Sequence, residues 1–280
     1  MKLIESKVEV IEQQPGLEGM YKHIELAGRV SYKSEDKITE DSAKEFVDRM
    51  IKSKHGAVLE HGTVYLKGRA VYDENGILEV PKNLFPGFFE RNKYSIVRKI
   101  ESEDMCNWYI TTNLRVIVEN SLTECLEYIC EPTEIHEKRI TARFTIDRIN
   151  SQSIVRHRTM SFTQESQRFC NYSKDKFNNE VAFVKPHWFN EEFPASLTWI
   201  EAMKDAEKRY FELIEMGLKP QDARGVLPNE TKTEIVVTGF ESDWEHFFSL
   251  RSPKYGAQGP HPNIAKLADE LYEKLNSINK

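Results

Sequence analysis

The chain has 280 residues and a formal net charge of −6, and this length allows one large domain or two small ones with a sizeable core. A mildly acidic protein is a poor candidate for wrapping nucleic acid, because phosphate contacts need a basic surface. No apolar run approaches the length of a membrane span, and the N-terminal residues lack the apolar stretch of a signal peptide. Four cysteines do not suggest a disulfide framework, so we expect reduced thiols, a cytoplasmic location, and neither a membrane nor a nucleic-acid partner.

The N-terminal part of the chain predicts a strand followed by two helices. Residues 8–11 suggest a short opening strand, and residues 16–31 predict a helix whose last turns are unusually polar. Ser42 and Glu45 form a capping-box pattern, which predicts a second helix with Ser42 as its N-cap. Gly56 is placed to end that helix.

A β-hairpin is the next predicted element. Residues 63–72 and 76–80 lie on either side of Asn75-Gly76, and Asn-Gly is a strong signal for a tight turn. Residues 81–104 contain prolines and predict an irregular excursion. Residues 113–120 then predict a helix.

Residues 140–147 alternate strictly between apolar and polar side chains, which predicts a strand with one buried face and one polar face. Asn150 or Ser151 is expected to cap a short helix directly after this strand. Arg148 is interpreted as a solvated charge or as an ion-pair partner of Asp147.

The C-terminal half predicts helices around one short strand. An apolar stripe along residues 197–214 indicates a long helix, and Pro220 suits the first turn of another. Residues 235–237 form a β-branched run. A second capping-box pattern begins at Ser242, and Pro262 begins a last amphipathic helix.

Strands and helices arranged in blocks favour the α+β class, with a mixed or antiparallel sheet and packed helices. No internal repeat or linker divides the chain. We therefore expect a single domain over residues 1–280, with the irregular excursion near residues 81–104.

Residues 156–168 form the most informative stretch, because they combine groups that bind anions. The stretch reads RHRTMSFTQESQR, with three arginines, one histidine and four hydroxyl groups, and no apolar period runs through it. The planar fork of arginine grips phosphate or carboxylate in bidentate fashion, and serine and threonine add short donors. The stretch predicts a site for a phosphorylated small molecule, with residues 156–158 at the end of the short helix and a loop after them, while a solvated basic face stays open as an alternative.

The spacing R-H-R-x-x-S-x-x-x-x-S-x-R also resembles the signature of the flavin-dependent thymidylate synthases. The usual signature has Asn-Glu where this chain has Thr163 and Gln164. Further similarity extends from Arg29 to Gln258, including the segment Arg224-Gly225-Val226-Leu227-Pro228. The resemblance implies the fold of that family.

The resemblance also implies an activity and its ligands. A member of this family converts dUMP to dTMP, with methylenetetrahydrofolate as carbon donor and NADPH-reduced FAD as reductant. It implies a homotetramer whose active sites combine residues from several subunits. The positions that match the family's flavin contacts are His55, Arg156, His157, Arg158, Gln164 and His246. The positions that match its dUMP contacts are Gln152, Ser153, Arg156, Gln164, Glu165, Ser166, Gln167, Arg168, Arg224 and Arg251.

Arg251 is the candidate catalytic residue. A plain interpretation is a cation favoured by the C-terminal end of a helix dipole. The resemblance places it instead at the pyrimidine ring, where its charge can stabilise negative charge that develops as C5 is activated.

His55, Glu60 and His61 permit another interpretation, a metal site. Their spacing lacks the helical i, i+4 histidine pair of a zinc protease, and structural histidines are the plainer alternative. The resemblance implies that this segment lines the flavin pocket, so we expect no metal. Two other function classes stay open: a non-catalytic nucleotide- or RNA-binding module, and a metal-dependent hydrolase built on His55 and His61.

Overall fold

The computed structural model of the protein describes residues 1–75 and 78–278. Its strands are β1 (Lys2–Ile4), β2 (Lys7–Ile11), β3 (Thr63–Tyr72), β4 (Leu78–Glu79), β5 (Ile96–Glu101), β6 (Met105–Asn113), β7 (Arg139–Asp147), β8 (Ser161–Gln164), β9 (Ala182–Val184) and β10 (Lys232–Phe240). Its α-helices are α1 (Gly16–Tyr32), α2 (Ser42–Lys52), α3 (Gly56–Leu59), α4 (Pro86–Arg91), α5 (Leu114–Glu119), α6 (Arg148–Ile154), α7 (Pro194–Glu215), α8 (Pro220–Ala223), α9 (Glu241–Arg251) and α10 (Pro262–Ile278). The predicted α+β class is confirmed.

The main sheet has the strand order β2-β7-β10-β8, and every pairing in it is antiparallel. Helices α9 and α10 pack their apolar side chains, including Trp244 and Leu271, against the apolar face of β7. Helix α1 covers the other face. The predicted polar face of β7 is covered as well: Thr141 and Thr145 are buried because helices pack on both sides of the sheet.

A second antiparallel sheet has the order β4-β3-β6-β5 and shares a core with α1 and α2. The segment 81–104, predicted to be irregular, contains α4 and the edge strand β5. Most side chains of β5 are exposed, so its sequence carries no apolar alternation. Gly68 of β3 gives this segment room, since an added Cβ would lie 2.1 Å from Leu84 Cδ2.

The predicted hairpin is present where the structure describes it. Strand β3 has the predicted bounds, and Val71 and Tyr72 pair with Glu79 and Leu78 of β4. Gly76 of the predicted turn lies outside the described residues.

The helix starts differ in detail from the capping patterns. Asp41 is the N-cap of α2, while the Ser42 hydroxyl donates to the Glu25 carboxylate at 2.7 Å. Gly56 begins α3 rather than ending α2.

Helix α9 begins at Glu241, before the predicted cap at Ser242. The Asp243 carboxylate accepts the Phe240 backbone N–H at 3.0 Å. The N-cap is therefore Phe240, two residues before the predicted cap, and Asp243 takes the N3 position of the capping box.

The remaining helices follow their predicted positions. Helix α7 ends before Gly217, whose φ of 93° suits glycine. Met203 and Tyr210 of its apolar stripe are buried, whereas Leu197 is exposed. Among the helices within the described ranges, none has both the length and the apolar character that a bilayer crossing requires.

A buried charge network crosses the middle of the main sheet. Glu234 of β10 accepts hydrogen bonds from Lys33 Nζ at 2.9 Å and from Arg143 Nε at 2.7 Å, and it also pairs with Lys232. Burial alone would raise the pKa of the Glu234 carboxyl, but the surrounding cations outweigh that effect and lower it to about 2. The negative charge of Glu234 therefore joins strands β7 and β10 to the end of α1.

We expect Glu234→Gln to lower the free energy of unfolding by roughly 3 kcal/mol at pH 7. Because the pKa of Glu234 is lower in the folded protein than in the unfolded chain, where it is about 4.3, the carboxylate stabilises the folded state at pH values above about 4.3. This stabilisation is lost as the pH falls toward 2. Urea unfolding of both proteins from pH 7 to pH 3 should show the difference shrinking with acid. Glu18→Gln, at an exposed helical pair, is the control and should change little. A pH-independent difference would contradict the assignment.

Candidate functional site

Helix α6 is the element to which the predicted site residues attach, and Asp147 holds its start. The Asp147 carboxylate accepts the Asn150 backbone N–H at 2.8 Å and the Asn150 side-chain amide at 3.0 Å. It also accepts from Asn263 of α10 at 3.2 Å. The predicted cap, Asn150 or Ser151, is therefore wrong by three or four residues, and Asp147 is not an ion-pair partner of Arg148.

The first residue of α6, Arg148, reaches toward the end of the arginine-rich stretch. Its Nη1 lies 3.4 Å from the backbone oxygen of Glu165 and 3.5 Å from Thr233 Oγ1. Burial lowers the pKa of Arg148, and the positive charge of Arg224 adds to that lowering. The positive charges of Arg148 and Arg224 therefore act on each other at this end of the helix, and we call the two residues a cationic pair. Sequence analysis missed Arg148 as a site residue.

The middle of α6 holds Gln164. The Gln164 amide donates to Ser151 Oγ at 2.9 Å and to Thr233 Oγ1 at 3.1 Å. Because both partners are hydroxyl groups, an uncharged amide can occupy the place where the family signature has a carboxylate.

The last turn of α6 meets Arg251 at the end of α9. Arg251 Nη2 donates to the Ser153 backbone oxygen at 3.3 Å. Burial lowers the pKa of Arg251, and the nearby charge of Arg156 lowers it further. The charges of these two arginines make this end of the site electropositive.

His157 lies beside the same cluster. Its ring centroid is 5.7 Å from that of His246 and 5.1 Å from that of Phe247. Burial, followed by the charges of Arg251 and His246, lowers the pKa of His157 to about 4, so the ring is neutral at pH 7. Within the described part of the chain, His157 Nε2 and Arg251 Nε are buried without a hydrogen-bond partner.

These contacts define the α6 site: Arg148 and Arg224 at one end, Gln164 in the middle, and Arg251 with His157 at the other. Five residues of helix separate Arg148 from Ser153, which corresponds to about 8 Å. Buried polar atoms without partners are costly in a folded protein. The α6 site is therefore cationic, of small-molecule size, and able to make further hydrogen bonds.

The prediction of a loop in the later part of the arginine-rich stretch is wrong in part, because this part contains a strand. Residues Ser161–Gln164 form β8, the edge strand that pairs with β10. The alternation of this strand buries Ser161 and Thr163. No apolar period marks the strand because its buried side chains, Ser161 and Thr163, carry hydroxyls that bond to Arg139 and His61.

The residues after β8 separate into buried and exposed groups. Glu165 is buried, and its Oε2 pairs with Lys232 Nζ at 2.8 Å. Gln167 is also buried, while Ser166 Oγ accepts the Arg168 backbone N–H at 3.3 Å. The exposed Arg168 guanidinium lies 5.4 Å from the Phe169 ring centroid. Gln152, Arg156, Arg158 and His246 are exposed as well.

The His55 segment lies at a different cleft. His55 is exposed and lines a cleft of ≈ 990 Å³ together with Arg29, Tyr32 and Arg115. Within one copy of the chain, this cleft and the α6 site have separate linings.

His61 is a fully buried structural residue. Its Nδ1 lies 2.8 Å from Thr238 Oγ1 and its Nε2 lies 2.9 Å from Thr163 Oγ1, so both ring nitrogens are occupied. Burial lowers the pKa of His61 well below its usual value. Among the described residues, no group of three or more His, Cys, Asp or Glu side chains is arranged to hold a metal ion.

Comparison with known proteins gives a family match for more than half of the chain. The model of the family described as thymidylate synthase complementing protein matches residues 119–278. This range contains the whole α6 site and begins after the second sheet.

Curated relatives include the flavin-dependent thymidylate synthase of Pyrococcus furiosus, 35% identical over 137 residues that cover 48% of this chain and 54% of the relative. The enzyme of the same name from Saccharolobus solfataricus is 33% identical over 150 residues, covering 53% and 52%. The chain spans about half the length of the curated relatives it matches. A solved structure, the UMP/dUMP methylase PolB from Streptomyces cacaoi bound with 5-Br dUMP, is 18% identical with a TM-score of 0.46, covering 99% of this chain and 93% of that one.

We expect Asp147→Ala to destabilise the protein by roughly 2 kcal/mol, because the first turn of α6 loses its cap and the Asn263 amide loses an acceptor. Urea unfolding measures the loss, and hydrogen exchange should show faster exchange of the Asn150 amide. Asp41→Ala is the matched control, since Asp41 is the N-cap of α2 without a side-chain cap bond. Equal effects of the two substitutions would argue against a special role of Asp147.

Proposed function

The chain belongs to the thymidylate synthase complementing protein family, and from this premise we propose that it is a flavin-dependent thymidylate synthase. In this proposal it converts dUMP to dTMP, with methylenetetrahydrofolate as carbon donor, FAD as cofactor and NADPH as reductant. The observation that carries the proposal is the convergence on α6 of cationic residues far apart in sequence: Arg148, Arg224 and Arg251.

The cationic pair at the start of α6 suits the phosphate of dUMP. Arg224 and Arg148 supply positive charge there, and the exposed Arg168 with Ser166 adds donors from the end of β8. Arginine binds phosphate oxygens through two parallel N–H groups. In this arrangement Gln152 and Ser153 lie along the rest of the nucleotide.

The other end of the α6 site fits a flavin. His157 Nε2 and Arg251 Nε are buried polar atoms without partners in the described residues, as expected where a ligand with many polar atoms binds. Arg156, Arg158, Gln164 and His246 would hold the cofactor with them. Bound FAD supplies the reducing equivalents of the reaction.

We propose a homotetramer, because His55 lines a cleft that is separate from the α6 site within one copy. A neighbouring subunit would bring its His55 to the flavin. We also propose a cytoplasmic location, because all four cysteines are free and thiols stay reduced in the cytoplasm.

Activation of C5 falls to Arg251 rather than to a protein nucleophile. As the pyrimidine gains negative charge, the Arg251 guanidinium would stabilise it while C5 bonds to the methylene carbon of the folate, the bond from that carbon to the folate nitrogen breaks, and C5 gives up its proton. Cys170, the thiol next to the arginine-rich stretch, is fully buried, and burial raises its pKa to about 12. It therefore carries almost no thiolate at neutral pH.

The purified chain of residues 1–280 is expected to bind FAD noncovalently and to form dTMP from dUMP when methylenetetrahydrofolate and NADPH are present. Flavin absorbance in the supernatant after denaturation and chromatography of the nucleotide product measure the two properties. Nucleotide binding without FAD binding or turnover would favour the non-catalytic module instead.

Arg251 and Arg224 should affect different kinetic parameters. Arg251→Ala removes a charge that acts on the transition state, so turnover should fall by roughly a hundredfold or more. Arg224→Ala removes a contact that holds ground state and transition state alike, so dUMP affinity should fall while saturated turnover stays similar. Arg251→Lys should restore only part of the rate, because the planar fork is lost. Single-turnover flavin oxidation and dUMP titration separate these effects. Normal turnover of saturated Arg251→Ala would remove Arg251 from its catalytic role.

A further inference from the structure

A cavity of ≈ 400 Å³ lies between the main sheet, the start of α1 and the second sheet. Large apolar side chains on its walls are Val10, Ile11, Tyr65, Ile129, Ile140 and Leu275. It shares no lining residue with the α6 site. Its size falls within the range of small-molecule sites.

Arg139, the first residue of β7, lines this cavity with an unusual set of partners. Its Nη1 donates to the Glu60 backbone oxygen at 2.9 Å and to Thr63 Oγ1 at 3.4 Å. Its Nη2 donates to Ser161 Oγ at 3.3 Å. All three acceptors are neutral, and Arg139 forms no ion pair with any carboxylate in the described ranges.

Arg143 lies four residues further along β7 on the same face of the strand, and it has the carboxylate partners that Arg139 lacks. Arg143 is also partly buried, but it pairs with Glu234 and with Glu35. Arg139 keeps its charge at neutral pH even though burial lowers its pKa to about 10. No carboxylate of the described residues is hydrogen-bonded to the Arg139 guanidinium, although the charges of Glu60 and Asp243 favour its charged form, so a bonded anion would stabilise this partly desolvated cation further.

The guanidinium of Arg139 also has hydrogen-bonding capacity left. Arginine carries five N–H donors, and the three bonds described above leave two of them without a partner. The Nε–H is one of these, and it is buried. Two neighbouring donors match the two oxygens of a carboxylate.

The other residues that line the cavity determine which kind of anion can bind there. The carboxylates of Glu12, Glu131 and Glu241 also line the cavity, and they would repel a dianionic phosphate. The apolar walls favour a hydrocarbon body over a sugar or peptide. A monoanion with an apolar or aromatic body satisfies both conditions.

We propose that this cavity binds a small organic monocarboxylate whose carboxylate is held by Arg139 and whose apolar body fills the space between the two sheets. The proposal does not depend on the activity of the α6 site, since it rests on a different cavity and a different arginine.

Isothermal titration of the full-length chain with 2-naphthoate tests the proposal, with 2-naphthamide as a neutral probe of the same shape. We expect one naphthoate per chain and binding of the amide weaker by about tenfold or more, the value of a lost charge-assisted contact. Arg139→Gln should reduce naphthoate affinity to that of the amide and leave amide binding unchanged. Equal affinities of the two probes for the unaltered chain would overturn the proposal.

Further variants keep the test decisive if Arg139→Gln does not fold. Ile129→Phe fills the cavity while Arg139 remains, so it should abolish binding of both probes. Lys138→Gln changes an exposed cation of the same lining and should have little effect. Arg251→Ala should bind naphthoate like the unaltered chain. Unchanged binding in Ile129→Phe, or its loss in Arg251→Ala, would place the carboxylate elsewhere and overturn the proposal.

Discussion

The pairing of β7 with β10 is the interaction on which the rest of the structure depends. The two strands are antiparallel over nine residue pairs, from Lys232 opposite Asp147 to Phe240 opposite Arg139. One end of this ladder carries Asp147 and the α6 site, and the other carries Arg139 and the apolar cavity. Strand β8 pairs with the far side of β10, so the arginine-rich stretch is held in register by the same ladder.

Because both faces of the main sheet are buried, the polar side chains on them need hydrogen-bond partners inside the protein. Threonine hydroxyls and histidine rings serve as partners for one another. His23 Nε2 lies 2.9 Å from Thr141 Oγ1, which lies 2.7 Å from Thr238 Oγ1. Thr238 contacts His61, and His61 contacts Thr163 of β8. Burial lowers the pKa values of both histidines, so the rings are neutral, and a neutral ring offers one donor and one acceptor. The chain of hydroxyls and imidazoles thus joins α1, the ladder and the arginine-rich stretch without burying a charge.

The partly buried arginines on and beside the main sheet divide according to their partners. Arg143 pairs with carboxylates and has a structural role in the network around Glu234. Arg139 and Arg251 bond only to neutral oxygens among the described residues, and each has a buried Nε–H without a partner. An arginine whose charge is already neutralised gains little from an anionic ligand, whereas an unneutralised one gains much. The absence of a hydrogen-bonded carboxylate is therefore the property shared by the two arginines for which we propose ligand-binding roles.

The amino-acid sequence by itself determined the elements whose signals are local. The periodicity of α1, α7 and α10 and the alternation of β7 come from neighbouring residues, and the anion-binding character of residues 156–168 is a matter of side-chain chemistry. The family resemblance on the same residues was confirmed. The edge strand β5 was not predictable, because an exposed edge strand needs no apolar alternation.

Only the tertiary structure decided which side chains meet. Asp147 caps α6, Arg148 joins Arg224, and the polar face of β7 is buried because α1 crosses it, all through contacts between residues distant in the chain. The separation of His55 from the α6 site has the same origin. Local sequence patterns report how one segment folds, whereas the burial of a polar residue and the partner of a charge depend on what the rest of the chain places against it.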